Sequence, residues 1–224
     1  IELVVRGHLL DGVVCLVGCD KTMPGAAMAL ARLDVPGLAL YNGTIYPGVY
    51  KGRNIDVVSV YEAIGAYRAG KISLGELHGI ENAACPGAGA CGGQFTANTM
   101  SMVLEFIGLS PGGLNGIPAE DPAKDEAARK TGELVMTLVR HDIRPSRFVT
   151  RESLENGIAS VAATGGSTNG VLHLLAIAHE FAKRDNLTGL YNDRFLHSAL
   201  EQAIAAAREA ASDLALLFLD LDIF

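Results

Sequence analysis

A short apolar run, Gly12 to Val17, a helical stretch, Met23 to Leu33, and a second apolar run, Gly37 to Tyr41, follow one another with almost no spacer. Both runs have strand length, and Pro24 stands in the first turn of the helix, where its missing N–H is harmless. This strand, helix, strand unit constrains the fold more than any other feature. Ile1 to Leu10 reads as the end of a preceding helix. Further helices are predicted at Val57 to Ala69, Ser73 to Ile80, Phe95 to Ile107, Pro122 to Arg140, and Arg151 to Ala163 with Thr150 as N-cap. The alternation predicts an α/β fold: a layered αβα domain fragment with a partly parallel sheet, followed by a C-terminal helix-strand tail. No internal repeat is visible, and the glycine- and proline-rich connection from Gly108 to Pro118 is either a lid or a surface loop.

Composition narrows the partners. The chain has 224 residues, 49% of them hydrophobic and 19% charged, which is globular and enough for one ordinary domain. A formal charge of -7 argues against nucleic acid or an acidic membrane as partner, while leaving room for a small anion held by local positive charge. Apolar runs such as Gly12 to Val17 are far shorter than the roughly 20 residues of a membrane span. The start at Ile1, without methionine, basic n-region or cleavage site, reads as a truncation with no signal peptide. Four cysteines, at positions 15, 19, 85 and 91, are few for a disulfide scaffold and fit a reducing, cytoplasmic setting.

The chemistry-bearing residues sit in glycine-rich turns. Cys19, Asp20 and Lys21 are consecutive at the end of the first strand, where α/β proteins expose ligand-binding groups. A thiolate suits iron or zinc and a carboxylate a hard cation such as magnesium, so the pair could serve two metals; the plain alternative is an Asp that caps the helix. Lys21 would offer oxygens to a metal only as a carbamate, and otherwise pairs with a substrate carboxylate. The loop CPGAGACGG holds Cys85 and Cys91 without zinc-knuckle spacing. They are two ligands, one ligand and one packed thiol, or two small hydrophobes. The third loop, Thr164 to Asn169, offers Ser167, Thr168 and Asn169 as hydroxyl, amide and helix N-terminal donors for a carboxylate or phosphate, or simply as caps. Ser167 has no His and Asp partners at useful spacing for a hydrolase, and His173 reads as a structural helix residue.

GCDKTMPGAAMALARLDVPGLALYNGT resembles the first signature of the dihydroxy-acid and phosphogluconate dehydratase family, ENAACPGAGACGGQFTANTM its second cysteine loop, and ATGGSTNGVLHLLAIAH its second signature. The resemblance covers about residues 1 to 180 and leans toward dihydroxy-acid dehydratases over the sugar-acid members. It implies a 2Fe-2S cluster with Cys19 and Cys91 as ligands, Cys85 as a neighbour and Cys15 as a strand residue. It further implies magnesium (Mg2+) on Asp20 and a carbamylated Lys21, and the donors of Ser167, Thr168 and Asn169 are then expected to bind the substrate. The implied reaction turns a small 2,3-dihydroxy acid of isoleucine and valine biosynthesis into a 2-keto acid, in a full-length enzyme that is a homodimer. Family members are far longer, with another cluster cysteine before this region and the base serine after it. The segment therefore lacks a catalytic residue of its own and is expected to be inactive alone.

From about Phe181 a different resemblance begins. RDNLTGLYN, with Asp185, Leu187 to Leu190 and Asn192, and later DLDIF from Asp220, resemble the opening of a GGDEF diguanylate cyclase domain without its GGDEF hairpin. The expected division is thus 1–180, a dehydratase N-terminal-domain fragment, and 181–224, a truncated GGDEF-like segment, with Leu214 to Leu219 as a strand.

Overall fold

The structure, a computed structural model, describes residues 1–183 together with Gln202, Ile204 and Ala205. The expected Leu214 to Leu219 strand and the GGDEF-like motifs lie outside the described residues. The backbone divides into two units, Ile1–Phe181 and Ala182–Phe224. The first of them carries all four cysteines.

The strand, helix, strand unit forms as the sequence predicts. β1 (Val13–Val17) lies parallel to β2 (Gly37–Tyr41), Val13 opposite Gly37 and Val17 opposite Tyr41, with α2 (Thr22–Leu33) as the crossover. Because strand side chains alternate between faces, Cys15, Val17, Ala39 and Tyr41 enter one core with Met23, Ala27 and Leu30 of α2. Leu38 and Leu40 are buried as well, and α6 (Ala123–Arg140) packs on both strands. Covering β2 on both faces explains its continuous apolar sequence, and the fold is α/β. Helix α2 stops at Asp34, which takes left-handed geometry at φ 49° and is buried. Its carboxylate accepts from Ser146 N–H at 3.1 Å and Ser146 Oγ–H at 2.9 Å, so the cap also fastens the 145–147 turn.

The far edge of β2 is closed by the Gly108 to Pro118 connection. Ala39 N–H donates to the Leu109 carbonyl at 2.7 Å, and Ser110 Oγ–H to the Ala39 carbonyl at 2.6 Å. Asn115 Oδ1 accepts Tyr41 N–H at 3.1 Å, and Lys124 Nζ donates to the Tyr41 carbonyl at 3.0 Å. Side chains thus satisfy backbone groups that another strand would otherwise take. At Leu109, Ser110 and Asn115 this connection is hydrogen-bonded to the sheet edge.

The predicted helices appear with ends shifted by a few residues at most. They are α1 (Glu2–Gly7), α3 (Val57–Arg68), α4 (Leu74–Ala83), α5 (Thr96–Phe106), α6 and α7 (Arg151–Thr164). Thr150 caps α7 as expected, in a reciprocal box with Ser153. Helix α8 (Thr168–Ala182) follows, burying Leu174, Ile177 and Phe181. The hairpin of β3 (Gly48–Tyr50) and β4 (Arg53–Ile55) was not anticipated, because three-residue strands carry too little periodicity. Its turn residues Lys51 and Gly52 both have positive φ, 50° and 75°, the geometry that suits the twist of a tight hairpin.

Candidate functional site

Cys19, Asp20 and Lys21 emerge where β1 hands over to α2. Thr22 Oγ1 accepts Cys19 N–H and donates to the Cys19 carbonyl, both at 3.1 Å, so the hydroxyl of Thr22 braces the turn. Asp20 caps nothing: its Oδ1 accepts the Cys19 thiol at 3.0 Å, and Oδ2 sits 3.4 Å from Lys21 Nζ. The Cys19 hydrogen bond, followed by Lys21, holds the Asp20 carboxyl below its ordinary range, overcoming the opposing desolvation. The carboxylate and the exposed thiol therefore form one adjacent pair, with the Lys21 side chain 76% exposed beside it.

Cys91 lies in the loop leading into α5. On its N-terminal side the loop is zipped to the segment after β2, Ala90 N–H donating to Gly43 O at 3.0 Å and Ile45 N–H to Ala90 O at 2.8 Å. On its C-terminal side Asn98 Nδ2 donates to the carbonyls of Cys91 at 2.9 Å and Gly93 at 2.6 Å. Asn98 Oδ1 in turn accepts the Tyr41 hydroxyl at 2.8 Å. Burial pushes the Tyr41 hydroxyl far up, and charge on Cys91 and on Cys19 pushes it further. Tyr41 therefore stays protonated, and both candidate ligands lie within electrostatic reach of one phenol. Cys85 and Cys91 are both exposed, so the reading of two small buried hydrophobes fails; Cys15 is buried in β1. Burial raises the Cys15 thiol.

The third loop meets the same helix start. Ser167 Oγ shares a hydrogen bond with Thr96 Oγ1 at 2.8 Å, Ser167 N–H donates to Thr99 Oγ1 at 2.9 Å, and Asn169 Nδ2 donates to Thr96 Oγ1 at 3.3 Å. Gly166 and Gly170 make this approach possible, since a Cβ on either would stand within 2.9 Å of the Thr99 side chain. Ser167 Oγ also accepts Asn169 N–H at 3.3 Å, as a helix cap does. Thr168 is exposed at the first turn of α8. One turn further, His173 points a buried Nε2 that has no hydrogen-bond partner among the described residues. Burial lowers its imidazole, as does Lys21, while Asp20 opposes them, which places His173 in the field of the first loop.

Three sequence-separated loops thus gather around the end of β2 and the starts of α2, α5 and α8. Among the described residues, no three His, Cys, Asp or Glu side chains converge as a complete metal site. A polar cavity of about 570 Å³ opens beside Asn98, Gln94, Thr44 and Thr164, but Cys19, Asp20, Lys21 and Cys91 do not line it. The donor types fit an iron-sulfur cluster and magnesium in part: two exposed thiols suit iron, and a carboxylate kept ionised suits magnesium. Reading the sequence missed Tyr41, Thr96 and Asn98. Tyr41 stands at the C-terminal end of an apolar strand, which is the signal that could have found it.

Residues 1–191 match the dihydroxy-acid/6-phosphogluconate dehydratase N-terminal family, and residues 182–224 match the diguanylate cyclase GGDEF domain. Dihydroxy-acid dehydratase of Koribacter versatilis is 61% identical over 180 residues, 80% of this chain and 31% of the relative. Those of Roseiflexus sp. and Thermus thermophilus are 57% and 56% identical over 180 residues, each 80% of this chain and 32% of the relative. The chain spans about a third of the length of these curated relatives. With the family match extending over residues 1–191, the chain belongs to the dihydroxy-acid/6-phosphogluconate dehydratase N-terminal family.

Proposed function

We propose that the chain is the ligand-bearing part of a hydro-lyase that converts a 2,3-dihydroxy carboxylic acid to a 2-keto acid, in the cytoplasm and in branched-chain amino-acid biosynthesis. The single observation that carries the reading is that Asn98 ties the Cys91 loop to Tyr41, which pairs with Val17 two residues before Cys19, in a chain 61% identical to a dihydroxy-acid dehydratase. Cys19 and Cys91 would hold a 2Fe-2S cluster, and Asp20 with a carbamylated Lys21 would hold magnesium. Bound there, these groups would supply Lewis acidity toward a hydroxyl oxygen of the substrate. The chain's own residues bind and orient. Asp20, beside Lys21, would offer carboxylate oxygen to a cation once Cys19 has given up its proton to ligate. Ser167 and Asn169, fixed on Thr96, and Thr168 at the open first turn of α8 would orient the substrate carboxylate. The remaining ligands and the base for carbon 2 would come from the part of the enzyme that the relatives have beyond the matched third, so the isolated chain is expected not to turn over.

Substitution in the full-length enzyme tests this reading. Cys19→Ser and Cys91→Ser should each abolish the visible absorbance and bound iron, and Cys15→Ala should leave both largely intact. Equal loss from all three refutes the assignment. Lys21→Arg keeps the charge but cannot form the carbamate, so it should be inactive; retained activity would mean that Lys21 only pairs with substrate. The match of residues 182–224 to a GGDEF domain favours a second reading, a non-catalytic signalling fusion, for which no iron should bind at all.

A further inference from the structure

We infer that Asn98 and Tyr41 are positioning residues that hold the Cys91 loop against the end of β2, next to Cys19; this rests on the reading of both cysteines as cluster ligands. Cys91 is a free, exposed thiol, and its neighbours are Ala90, Gly92 and Gly93, residues with little or no side chain to pack. A glycine-rich loop of this kind has many backbone conformations, so its position must be set from outside.

Asn98 does this with one amide. Its two N–H donors take the carbonyls on either side of Gly92, those of Cys91 and Gly93, and its oxygen takes the Tyr41 hydroxyl. Because Asn98 lies in α5, it cannot follow the loop if the loop moves. Tyr41 is as firmly set. It is 1% exposed, its N–H donates to Asn115, its carbonyl accepts from Lys124, and it pairs with Val17 of β1, two residues before Cys19. The path from one candidate ligand to the other therefore runs Cys91, Asn98, Tyr41, Val17, Cys19, through a helix and two paired strands. The bridge of Ala90 to Gly43 and Ile45 is the second anchor and lies on the opposite side of Cys91. Removing the Asn98 donors leaves that bridge as the loop's remaining anchor among the described hydrogen bonds.

Two isosteric substitutions separate the parts of the device. Asn98→Asp keeps the acceptor for Tyr41 and loses both donors to the loop; Tyr41→Phe keeps both donors and loses the tie to β2. Amide exchange is read first in the chain without added iron, at Ala90 and Ile45, whose N–H groups form the remaining bridge. Loss of two hydrogen bonds at about 1 kcal/mol each should speed opening there by about thirtyfold in Asn98→Asp, with a smaller change in Tyr41→Phe. Exchange at Cys15 and Ala39 should be unchanged in both. The visible absorption and circular dichroism of the reconstituted cluster in the full-length enzyme form the second readout. Both variants should shift these bands relative to wild type, Asn98→Asp more, which a role confined to folding would not do. Unchanged exchange at Ala90 and Ile45, or wild-type spectra in both variants, overturns the inference. A wild-type enzyme that takes up no iron overturns the cluster reading instead, and the exchange data then still decide whether Asn98 holds the loop.

Discussion

Replacing Asn115 by alanine should cost about 2–4 kcal/mol, a large loss for a residue in a connection between elements. Asn115 is 4% exposed and joins its connection to β2 and α5: its Oδ1 accepts Tyr41 N–H at 3.1 Å, its Nδ2 donates to Ser101 O at 2.8 Å, and its own N–H reaches Glu105 Oε1 at 2.9 Å. The last bond belongs to the backbone and survives the substitution. Because it keeps the loop in place, water cannot simply enter and take over the lost partners. Tyr41 N–H is then a buried donor without an acceptor, at about 1–3 kcal/mol, and the bond to Ser101 O is lost at about 1 kcal/mol. In urea, with a slope of about 2 kcal/mol per molar, the unfolding midpoint should fall by about 1–2 M. Circular dichroism at the helix band provides the assay, with Asn156→Ala as a control; that side chain is exposed, and the change should stay within about 0.5 kcal/mol. Amide exchange at Tyr41 should accelerate in Asn115→Ala alone. A midpoint equal to wild type, with Tyr41 still protected, would show that Asn115 does not close the edge of β2.

Gly43 has φ 106°, and a Cβ there would stand 2.5 Å from Ala119 N and 2.6 Å from Ile117 O, so Gly43→Ala should lose at least the about 1–3 kcal/mol of a strained backbone. Gly132→Ala, in the middle of α6 with nothing near its Cβ, should instead gain about 0.5–1 kcal/mol; thermal melting compares the two, and equal shifts would discredit the steric argument. Iodoacetamide near neutral pH should label Cys19, Cys85 and Cys91 well before Cys15, which is buried and whose thiol burial pushes up; mass mapping showing early Cys15 labelling would contradict its placement. His173 has its folded pKa below the ordinary 6.5, so the neutral imidazole is the form the fold favours. Its contribution to stability is full above pH 6.5 and is lost as pH falls through the lower folded value, so His173→Gln should flatten the decline of the melting temperature on the acid side of pH 6.5. Parallel declines in both proteins would refute that placement.

What could be read from the residues alone is what local rules govern. Period-2 and period-3.6 patterns, Pro24 in a first turn and Thr150 before Arg151 placed the β1, α2, β2 unit and the start of α7 almost to the residue. The family could be read from motif order, and residues 1–191 match it. Contacts between distant segments could not be read this way, because periodicity says which face of an element is buried but not which neighbour covers it. Nothing in the order of residues says that Asn115 reaches Tyr41 across 74 positions, or that Ser167 reaches Thr96 across 71. Those bonds form because the chain returns to the same place after packing. The Gly108 to Pro118 connection shows the consequence: its composition permits a lid or a surface loop, and only the free edge of β2, present once the sheet has formed, gives Leu109 and Ser110 their backbone partners. The same holds for the candidate ligands. The sequence determines that Cys19 and Cys91 sit in open turns; the tertiary structure decides that both turns end beside Tyr41, since parallel pairing of β1 with β2 and the hold of Asn98 on the second loop are needed to bring them there.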